Sequence, residues 1–330
     1  MYQFISVIDA HAAGEPLRLI TNGPNLIGTS LFEKQEYMKK NFDYIRTTTM
    51  LEPRGHNDMF GAFLTEPIDP RADFGIIFFD GGCYYGMCGH GSLAVATIAL
   101  KTGLLPVQEP CTTVTLETVS GLVKIYVETG EEGHQWATLE GIPSFVYKTD
   151  VTITVFEQTI TVDIVFSGNF FAVIDVDQLG LKHSCEYIEQ FKKYGLEIRN
   201  QLNNIIQICH PKIPHLGRIT DILFTGSPDT KDSAFKSLVF LGRAQFDRSP
   251  CGTGTAAKMT LLHSKGLLKV GELFSHKSII GTVFEGKIDS LTTVDKYQAI
   301  VPHIKGRAFI TGFNKLVIES DDILKYGFFL

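Results

Sequence analysis

Two short segments of this sequence combine a cysteine, two glycines and the start of an apolar helix, and they are nearly alike. Residues 88–105 read CGHGSLAVATIALKTGLL, and residues 251–268 read CGTGTAAKMTLLHSKGLL. They align without a gap and share Cys-Gly-x-Gly at the start and Gly-Leu-Leu at the end. Each follows an apolar run, at 74–79 and 237–241. The sequence therefore predicts a unit of strand, loop, cysteine and helix that occurs twice.

A cysteine that opens a helix lies beside unpaired backbone N–H groups and the positive end of the helix dipole. This environment lowers the pKa of a thiol, and the same N–H groups can bind a carboxylate or a phosphate. If a pseudo-twofold axis relates the two units, both thiols, Cys88 and Cys251, point into one cleft. Such a pair suits a two-base reaction at the α-carbon of an amino acid.

The composition limits the class of protein. The chain has 330 residues and a formal net charge of −6, which is enough for a large core and about two domains. No basic run indicates nucleic-acid binding, and no apolar stretch approaches the roughly 20 residues of a membrane span. The first 20 residues lack the pattern of a secretory signal, so we expect a cytoplasmic location.

Most of the six cysteines have a simple structural interpretation. No CxxC pair and no histidine at zinc-finger spacing is present, so we expect free thiols and no metal site. Cys111, Cys185 and Cys209 are interpreted as small buried apolar residues, as is common for cysteine. The repeat favours a chemical role for Cys88 and Cys251.

Other functions compete with acid–base chemistry at these cysteines. The segment GTGTAAK (252–258) superficially resembles a phosphate-binding loop, but its spacing fails the GxxxxGK[ST] pattern, and no dinucleotide-binding fingerprint is present. A redox dithiol is a stronger alternative because two facing cysteines can cycle to a disulfide. Redox pairs commonly use CxxC spacing, which Cys88 and Cys251 lack. A non-catalytic binding protein is the third alternative.

Two polar residues beside the cysteines have both structural and chemical interpretations. His90 either caps its helix or contacts the substrate and sets the charge state of the thiol. Asp247 either forms a turn through an Asx hydrogen bond, pairs with Arg248, or holds a substrate ammonium. We favour the last, because a carboxylate beside two anion-binding helix ends would otherwise oppose carboxylate binding.

The rest of the chain is rich in predicted strands. Ser30 with Glu33 predicts a capped helix through about residue 44, and residues 184–203 predict another. The polar loop 51–67 either is solvated or helps to shape a pocket through Arg54, His56 and Asp58. Period-two patterns predict strands at 2–8, 17–21, 114–128 (a hairpin), 136–139, 151–155, 158–166, 169–176 and 221–226.

These elements predict an α+β fold of two similar lobes, each a curved, mostly antiparallel sheet around its cysteine helix. We place the first lobe at 1–140 with 312–330, and the second at 141–311.

Three motifs are specific enough to indicate a family. MCGHGS (87–92), DRSPCGTGT (247–255) and LEPRGHNDMFGA (51–62) resemble the proline racemase family, which includes 4-hydroxyproline 2-epimerases and trans-3-hydroxyproline dehydratases. The resemblance covers essentially the whole chain, from DAHAAGEPLR to ITGFN. It implies a diaminopimelate-epimerase-like fold, a homodimer, a proline or hydroxyproline substrate and no cofactor.

The resemblance also implies roles for individual residues. Cys88 and Cys251 match the paired acid and base. The other matches are the amides that hold the substrate carboxylate, at Gly89, His90, Gly252 and Thr253, and the ligand of its amine, Asp247.

Within the family, Phe60 and the segment GGCYYGMCGH (81–90) are similar to the racemase branch. Leu241 stands where that branch tends to have phenylalanine, and Asp221 where it tends to have an apolar residue or cysteine. Epimerases often have a histidine near that second position, and 220–225 contains none. Dehydratases usually have threonine in place of Cys251. We therefore expect a proline racemase, with a 4-hydroxyproline 2-epimerase as the alternative.

Overall fold

A computed structural model describes residues 2–130, 135–228, 230 and 234–329. The chain folds into two compact units, Met1–Thr138 with Arg307–Leu330, and Leu139–Gly306. The second unit is therefore one uninterrupted stretch of chain, whereas the first is completed by the last strand of the protein. Among the described residues, no helix is both long enough and apolar enough to cross a membrane.

The described residues of the first unit form three α-helices and a set of mostly antiparallel strands. In chain order its elements are β1 (Tyr2–Ala12), β2 (Glu15–Ile20), α1 (Leu31–Asn41), α2 (Asp43–Met50), β3 (Phe60–Thr65), β4 (Phe74–Asp80), β5 (Tyr84–Tyr85), α3 (Gly89–Lys101), β6 (Cys111–Thr118), β7 (Gly121–Thr129) and β8 (Gln135–Glu140), whose last two residues belong to the second unit. The final strand of the chain, β18 (Ala308–Glu319), pairs antiparallel with β1 from Tyr2 to Ala12.

The second unit has two α-helices among its described residues. Its elements are β9 (Ser144–Val155), β10 (Gln158–Phe166), β11 (Phe170–Asp175), two short 3₁₀ helices (Val176–Leu179 and Cys185–Tyr187), α4 (Ile188–Ile205), β12 (Ile219–Gly226), β13 (Phe235–Leu241), β14 (Gln245–Asp247), α5 (Gly252–Ser264), β15 (Leu273–Ser278), β16 (Val283–Val294) and β17 (Tyr297–Gly306).

The same series of strand pairings occurs in both units. In the first, β1–β2 is antiparallel, β2–β3 parallel, β3–β4 antiparallel, β4–β6 parallel and β6–β7 antiparallel. In the second, β10–β11, β11–β12, β12–β13, β13–β15 and β15–β16 repeat this order of directions. The repeat detected in the 18-residue cysteine segments therefore extends over most of each unit.

The two cysteine helices form the centres of their units. The first twelve residues of α3 are buried, and it packs against β1, β2, β7 and β18. Helix α5 packs against β9, β10, β16 and β17. A helix that is apolar on all sides must be enclosed, which is why the sheets surround these two. Each is followed by a glycine with a positive φ, Gly103 at 73° and Gly266 at 71°, which explains the repeated Gly-Leu-Leu.

The predicted helix from residue 30 to about 44 is wrong in its extent. Ser30 caps α1 by accepting the Glu33 N–H, as predicted, but α1 ends at Asn41. Phe42, at φ −138° and ψ 21°, separates it from α2, which runs on to Met50. The sequence-based analysis missed α2 because its three consecutive threonines have low helix propensity, and burial of the helix outweighs that preference.

Candidate active site

Cys88 is the N-cap of α3. The hairpin of β4 and β5 brings the chain to this position, and the extended backbone of Cys88 (φ −139°, ψ 123°) aims its side chain back over the first turn. The sulfur accepts the N–H of Gly91 at 3.3 Å. The first helical hydrogen bond is donated by the Ser92 N–H to the Cys88 carbonyl, so the N–H groups of Gly89 and His90 precede the hydrogen-bonded helix.

Cys251 caps α5 with the same contact. Its sulfur accepts the N–H of Gly254, also at 3.3 Å, and Thr255 donates the first helical bond to the Cys251 carbonyl. The N–H groups of Gly252 and Thr253 thus occupy the places that Gly89 and His90 occupy in the first unit. The two helices are equal in length, at 13 residues each.

The second glycine of each Cys-Gly-x-Gly makes room for the thiol contact. A Cβ at Gly91 would lie 2.7 Å from Cε1 of Phe78 and 3.1 Å from the sulfur of Cys88. At Gly254, a Cβ would lie 3.0 Å from a methyl group of Val239. Sequence reasoning noted these glycines only as part of the repeat, and their close packing explains why both copies contain them.

A side chain two positions after each cysteine contacts its sulfur. Nδ1 of His90 lies 3.2 Å from the Cys88 sulfur, and the Thr253 hydroxyl lies 3.4 Å from the Cys251 sulfur. The first contact places His90 within reach of its thiol, and the effect of His90 on the charge state of that thiol stays a prediction. The ring of Phe60 packs edge-on against His90, with centroids 4.9 Å apart.

Asp247 forms the Asx turn that the sequence analysis gave as an alternative. Oδ1 accepts both the N–H of Ser249, at 2.8 Å, and its hydroxyl, at 2.7 Å. The Ser249 hydroxyl in turn accepts the N–H of Cys251 at 3.0 Å. Asp247 therefore fixes the loop before the thiol, and its contact with a substrate amine stays a prediction. Sequence reasoning missed Ser249, although its place between Asp247 and Cys251 was a usable signal.

Phe60 and Asp221 hold equivalent places in the two units. In the first unit, Phe60 lies two positions before the strand residue that pairs with Phe78, and Phe78 packs against the second glycine of its Cys-Gly-x-Gly. In the second unit, Asp221 lies two positions before the strand residue that pairs with Val239, and Val239 packs against the second glycine of the other copy. Asp221 is 3% exposed and accepts the Thr220 hydroxyl at 3.1 Å. Leu241, the last residue of β13, is also buried.

Burial and charge act together on the second thiol. Burial raises the pKa of Cys251 well above its usual value of 9.0, and the carboxylates of Asp247 and Asp221 raise it further. The hydrogen bonds from Thr253 and the Gly254 N–H act in the opposite direction but do not offset these effects. Cys251 therefore holds its proton at neutral pH in the absence of substrate.

The polar loop 51–67 is only partly associated with the thiol. Arg54 binds the C-terminal segment, donating to the carbonyl of Val317 at 2.7 Å and pairing with Asp322 at 3.2 Å. The N–H of Asp58 donates to Nδ1 of His56. Phe60, which lies within this stretch as the first residue of β3, contacts His90. Among the described residues, no group of three His, Cys, Asp or Glu side chains has the geometry of a metal site.

Comparison with known proteins identifies the family of this chain. The model of a family described as proline racemase matches residues 7–329. The chain belongs to the proline racemase family. It is 43% identical to the proline racemase of Acetoanaerobium sticklandii, over 98% of each chain. It is 44% identical to the proline racemase of Clostridioides difficile, over 99% of this chain and 98% of that one.

A solved structure of a similar protein has the same fold. The hydroxyproline epimerase of Agrobacterium vitis, crystallised with bound trans-4-hydroxy-L-proline, superposes with a TM-score of 0.94 at 32% identity. The match covers 100% of this chain and 96% of that one. The resemblance inferred from the three sequence motifs and the predicted α+β fold are therefore both confirmed.

Proposed function

We propose that this protein interconverts L- and D-proline without a cofactor, with Cys88 and Cys251 as the paired acid and base. The observation that carries the proposal is the recurrence of one geometry: each thiol caps a 13-residue helix and accepts an N–H at 3.3 Å. Racemisation through two bases needs two such groups, because a proton leaves one face of the α-carbon and another arrives on the opposite face. The two relatives named proline racemases support the choice of substrate.

In the proposed complex, the helix ends bind the substrate carboxylate. A full negative charge beside the α-carbon opposes formation of a carbanion, and preorganised N–H donors reduce that charge without rearranging during the reaction. Asp247 accepts a hydrogen bond from the ring amine. The N–H donors are those of Gly89, His90, Gly252 and Thr253.

The proton transfers then follow from the two thiols. In one direction, the thiolate of Cys88 removes the α-proton while the thiol of Cys251 delivers its proton to the other face of the carbanion. In the reverse direction the roles exchange. We also propose that the enzyme is a homodimer, as the family resemblance implies, and that it is cytoplasmic.

The test is chiral chromatography of the purified, reduced protein with L-proline, together with deuterium incorporation at the α-carbon in D₂O. We expect D-proline to form and deuterium to enter. Cys88→Ser and Cys251→Ser should each abolish racemisation and leave the circular dichroism spectrum unchanged, because serine is a far weaker acid than a thiol. Substantial racemisation by either variant would contradict the two-thiol mechanism.

Asp221 favours a second candidate, a 4-hydroxyproline 2-epimerase. Asp221 places a buried carboxylate at the position that Phe60 holds in the first unit. A carboxylate can accept a hydrogen bond from a ring hydroxyl, and a site built to bind a hydroxyl discriminates strongly against substrates that lack one. Trans-4-hydroxy-L-proline should therefore be assayed in parallel with L-proline. Faster turnover of proline supports the racemase, whereas a preference for hydroxyproline that Asp221→Leu removes would establish the epimerase.

A further inference from the structure

A buried carboxylate outside the candidate catalytic set lies at the end of β4. Asp80, the last residue of that strand, has no exposed surface. Its Oδ1 accepts the N–H groups of Gly82 and Cys83, each at 2.6 Å, and its Oδ2 accepts the Tyr85 hydroxyl at 2.6 Å. These donors belong to the segment 81–87, which leads from β4 to the cysteine at the start of α3. Asp80 therefore fixes the conformation of that segment from within the core.

The hydroxyl of Tyr85 ties its ring to this carboxylate, and ring contacts continue from there towards the thiol. The Tyr85 ring packs against Phe60, with centroids 5.3 Å apart. Phe60 in turn packs edge-on against His90 at 4.9 Å, and Nδ1 of His90 lies 3.2 Å from the Cys88 sulfur. The three rings are 5%, 4% and 3% exposed, so neighbouring atoms enclose all of them. A continuous series of contacts thus joins Asp80 to the thiol.

Strand register places Tyr85 where the second unit has Asp247. Tyr85 pairs with Phe78, and Asp247 pairs with Val239. Phe78 and Val239 are equivalent, because each packs against the second glycine of its Cys-Gly-x-Gly. In the second unit, the residue at this position holds the loop before the thiol through an Asx turn. In the first unit, the residue at the same position packs its ring towards the neighbours of the thiol and is anchored by Asp80.

The adjacent tyrosine, Tyr84, gives a comparison within the same strand. Its hydroxyl donates to Asp43 at 2.8 Å, so a carboxylate anchors this ring as well. Successive side chains of a strand point to opposite faces, and the Tyr84 ring packs against Phe79, with centroids 5.7 Å apart. The two tyrosines thus make similar hydrogen bonds, but it is the Tyr85 ring that packs against Phe60.

We propose that Tyr85, anchored by Asp80, is a positioning residue for the reaction, which holds Phe60 and, through it, the imidazole of His90 beside Cys88. Tyr85 acts through these side chains, and its hydroxyl serves to keep its ring against Phe60. The catalytic meaning of this role rests on the proposed racemisation. The arrangement of the rings exists without substrate and can be tested alone.

The first test is the steady-state kinetics of Tyr85→Phe. The variant keeps the ring but loses its anchor, so Phe60 and His90 gain freedom, while the N–H groups proposed to bind the substrate carboxylate stay in place. A misplacement of about 1 Å can cost about 100-fold in rate even when the substitution lies away from the reacting atoms. We expect Tyr85→Phe to lower kcat by about tenfold and to change KM by less than about twofold.

Tyr84→Phe is the matched control. It removes the same group from the neighbouring residue and takes one donor from a different carboxylate, so the two variants should lower the melting temperature by similar amounts. The kcat of Tyr84→Phe should stay within about twofold of that of the parent enzyme. An equal loss of kcat in both variants, or no loss in Tyr85→Phe, would overturn the proposal.

Two variants of Asp80 test the anchor from the other side. Asp80→Ala removes the acceptor of all these donors and should lower kcat at least as much as Tyr85→Phe does. Asp80→Asn keeps an oxygen for the two N–H groups and has an amide that can donate to the Tyr85 oxygen, so it should retain more of kcat than Asp80→Ala. Equal losses in the two would show that charge, not position, matters at Asp80. Thermal melting identifies the folded variants, and if Asp80→Ala does not fold, the two tyrosine variants decide.

Side-chain NMR separates this inference from the activity. Because the Phe60 ring lies close to His90, its ring current shifts the ¹H–¹³C signal of the His90 imidazole, which His90→Asn identifies by its loss. In the substrate-free protein, Tyr85→Phe should move this signal and Tyr84→Phe should leave it in place. If the parent protein does not racemise proline, the proposed function fails, and the signal still decides the positioning role. An unmoved signal in Tyr85→Phe would reject that role even if kcat had fallen.

Discussion

Cys251 and Cys88 present their sulfurs alike from different backbones. Cys251 has φ 62° and ψ 113°, a region that non-glycine residues rarely adopt, whereas Cys88 is ordinarily extended. Such a conformation costs about 1–3 kcal/mol and persists only where the surroundings hold it. Ser249 helps to hold the Cys251 backbone in this conformation, because its hydroxyl accepts the Cys251 N–H. The unusual backbone lies at a residue to which we assign chemistry.

Replacing the second glycine should harm the first unit more than the second. In Gly91→Ala the new Cβ meets the rigid ring of Phe78 at 2.7 Å, whereas in Gly254→Ala it meets a methyl group at 3.0 Å. We expect Gly91→Ala to lower the free energy of unfolding by about 1–3 kcal/mol, and Gly254→Ala by less. Urea unfolding and kcat/KM of the matched pair measure this. An equal effect of both would show that the ring moves aside easily.

At the same scale, the sequence predicts the two thiols as candidate catalytic groups but does not show how their loops are held. Cys88, Cys251 and His90 could be singled out because the repeat and helix-cap chemistry are local in the chain. The role of Asp247 in an Asx turn was one of several open alternatives, since a single sequence does not show which hydrogen bond a carboxylate makes. The effect of Asp221 on Cys251 joins a residue of β12 to the start of α5, and a single sequence does not show such a long-range relation.

Among the elements, α5 and β15 are joined by a buried polar contact. The hydroxyl of Thr255 contacts Nδ1 of His276, a residue with no exposed surface. This contact lies one turn beyond the thiol, on the same helix. It is absent from the sequence-based analysis because the two residues belong to different elements and neither stands in a motif.

This histidine makes stability depend on pH. Burial lowers the pKa of His276 to about 3, whereas an unfolded histidine has a value near 6.5. Between these values the unfolded chain binds a proton that the folded protein does not, so stability falls as the pH is lowered from 6.5. We expect the free energy of unfolding to change with pH less steeply in His276→Gln, by roughly 1 kcal/mol per pH unit between 6 and 4.5. Equal slopes in urea titrations would contradict this.

At the scale of the whole molecule, the first unit depends on the end of the chain. Strand β18 pairs with β1, and the residues after it bind the loop that precedes β3. Phe328 pairs with Glu52, and Arg54 contacts Val317, Asp322 and Lys325. Sequence patterns predicted that the last strand returns to the first lobe. They left Arg54 open between a solvated loop and a pocket, because they do not show which distant carbonyls a guanidinium reaches.

The contacts of Arg54 give a stability prediction. Lysine lacks the planar fork that reaches three partners, so Arg54→Lys should lower the free energy of unfolding by about 1–2 kcal/mol. Hydrogen exchange should quicken in residues 320–329, while kcat stays close to that of the parent enzyme. The control is Arg71→Lys, whose guanidinium is 75% exposed and pairs only locally with Asp69, and which should change stability by less than about 0.5 kcal/mol.

The return of β18 to β1 also sets the order in which a ribosome can complete this protein. The residues of the second unit are contiguous, so that unit is ready to fold once residue 306 has left the exit tunnel. Strand β1 is made well before β18, so it must wait for this partner until the whole second unit has been made. Until β18 has been made, the edge of β1 that pairs with it is open, so we expect the nascent first unit to be more prone to edge-to-edge pairing than the second.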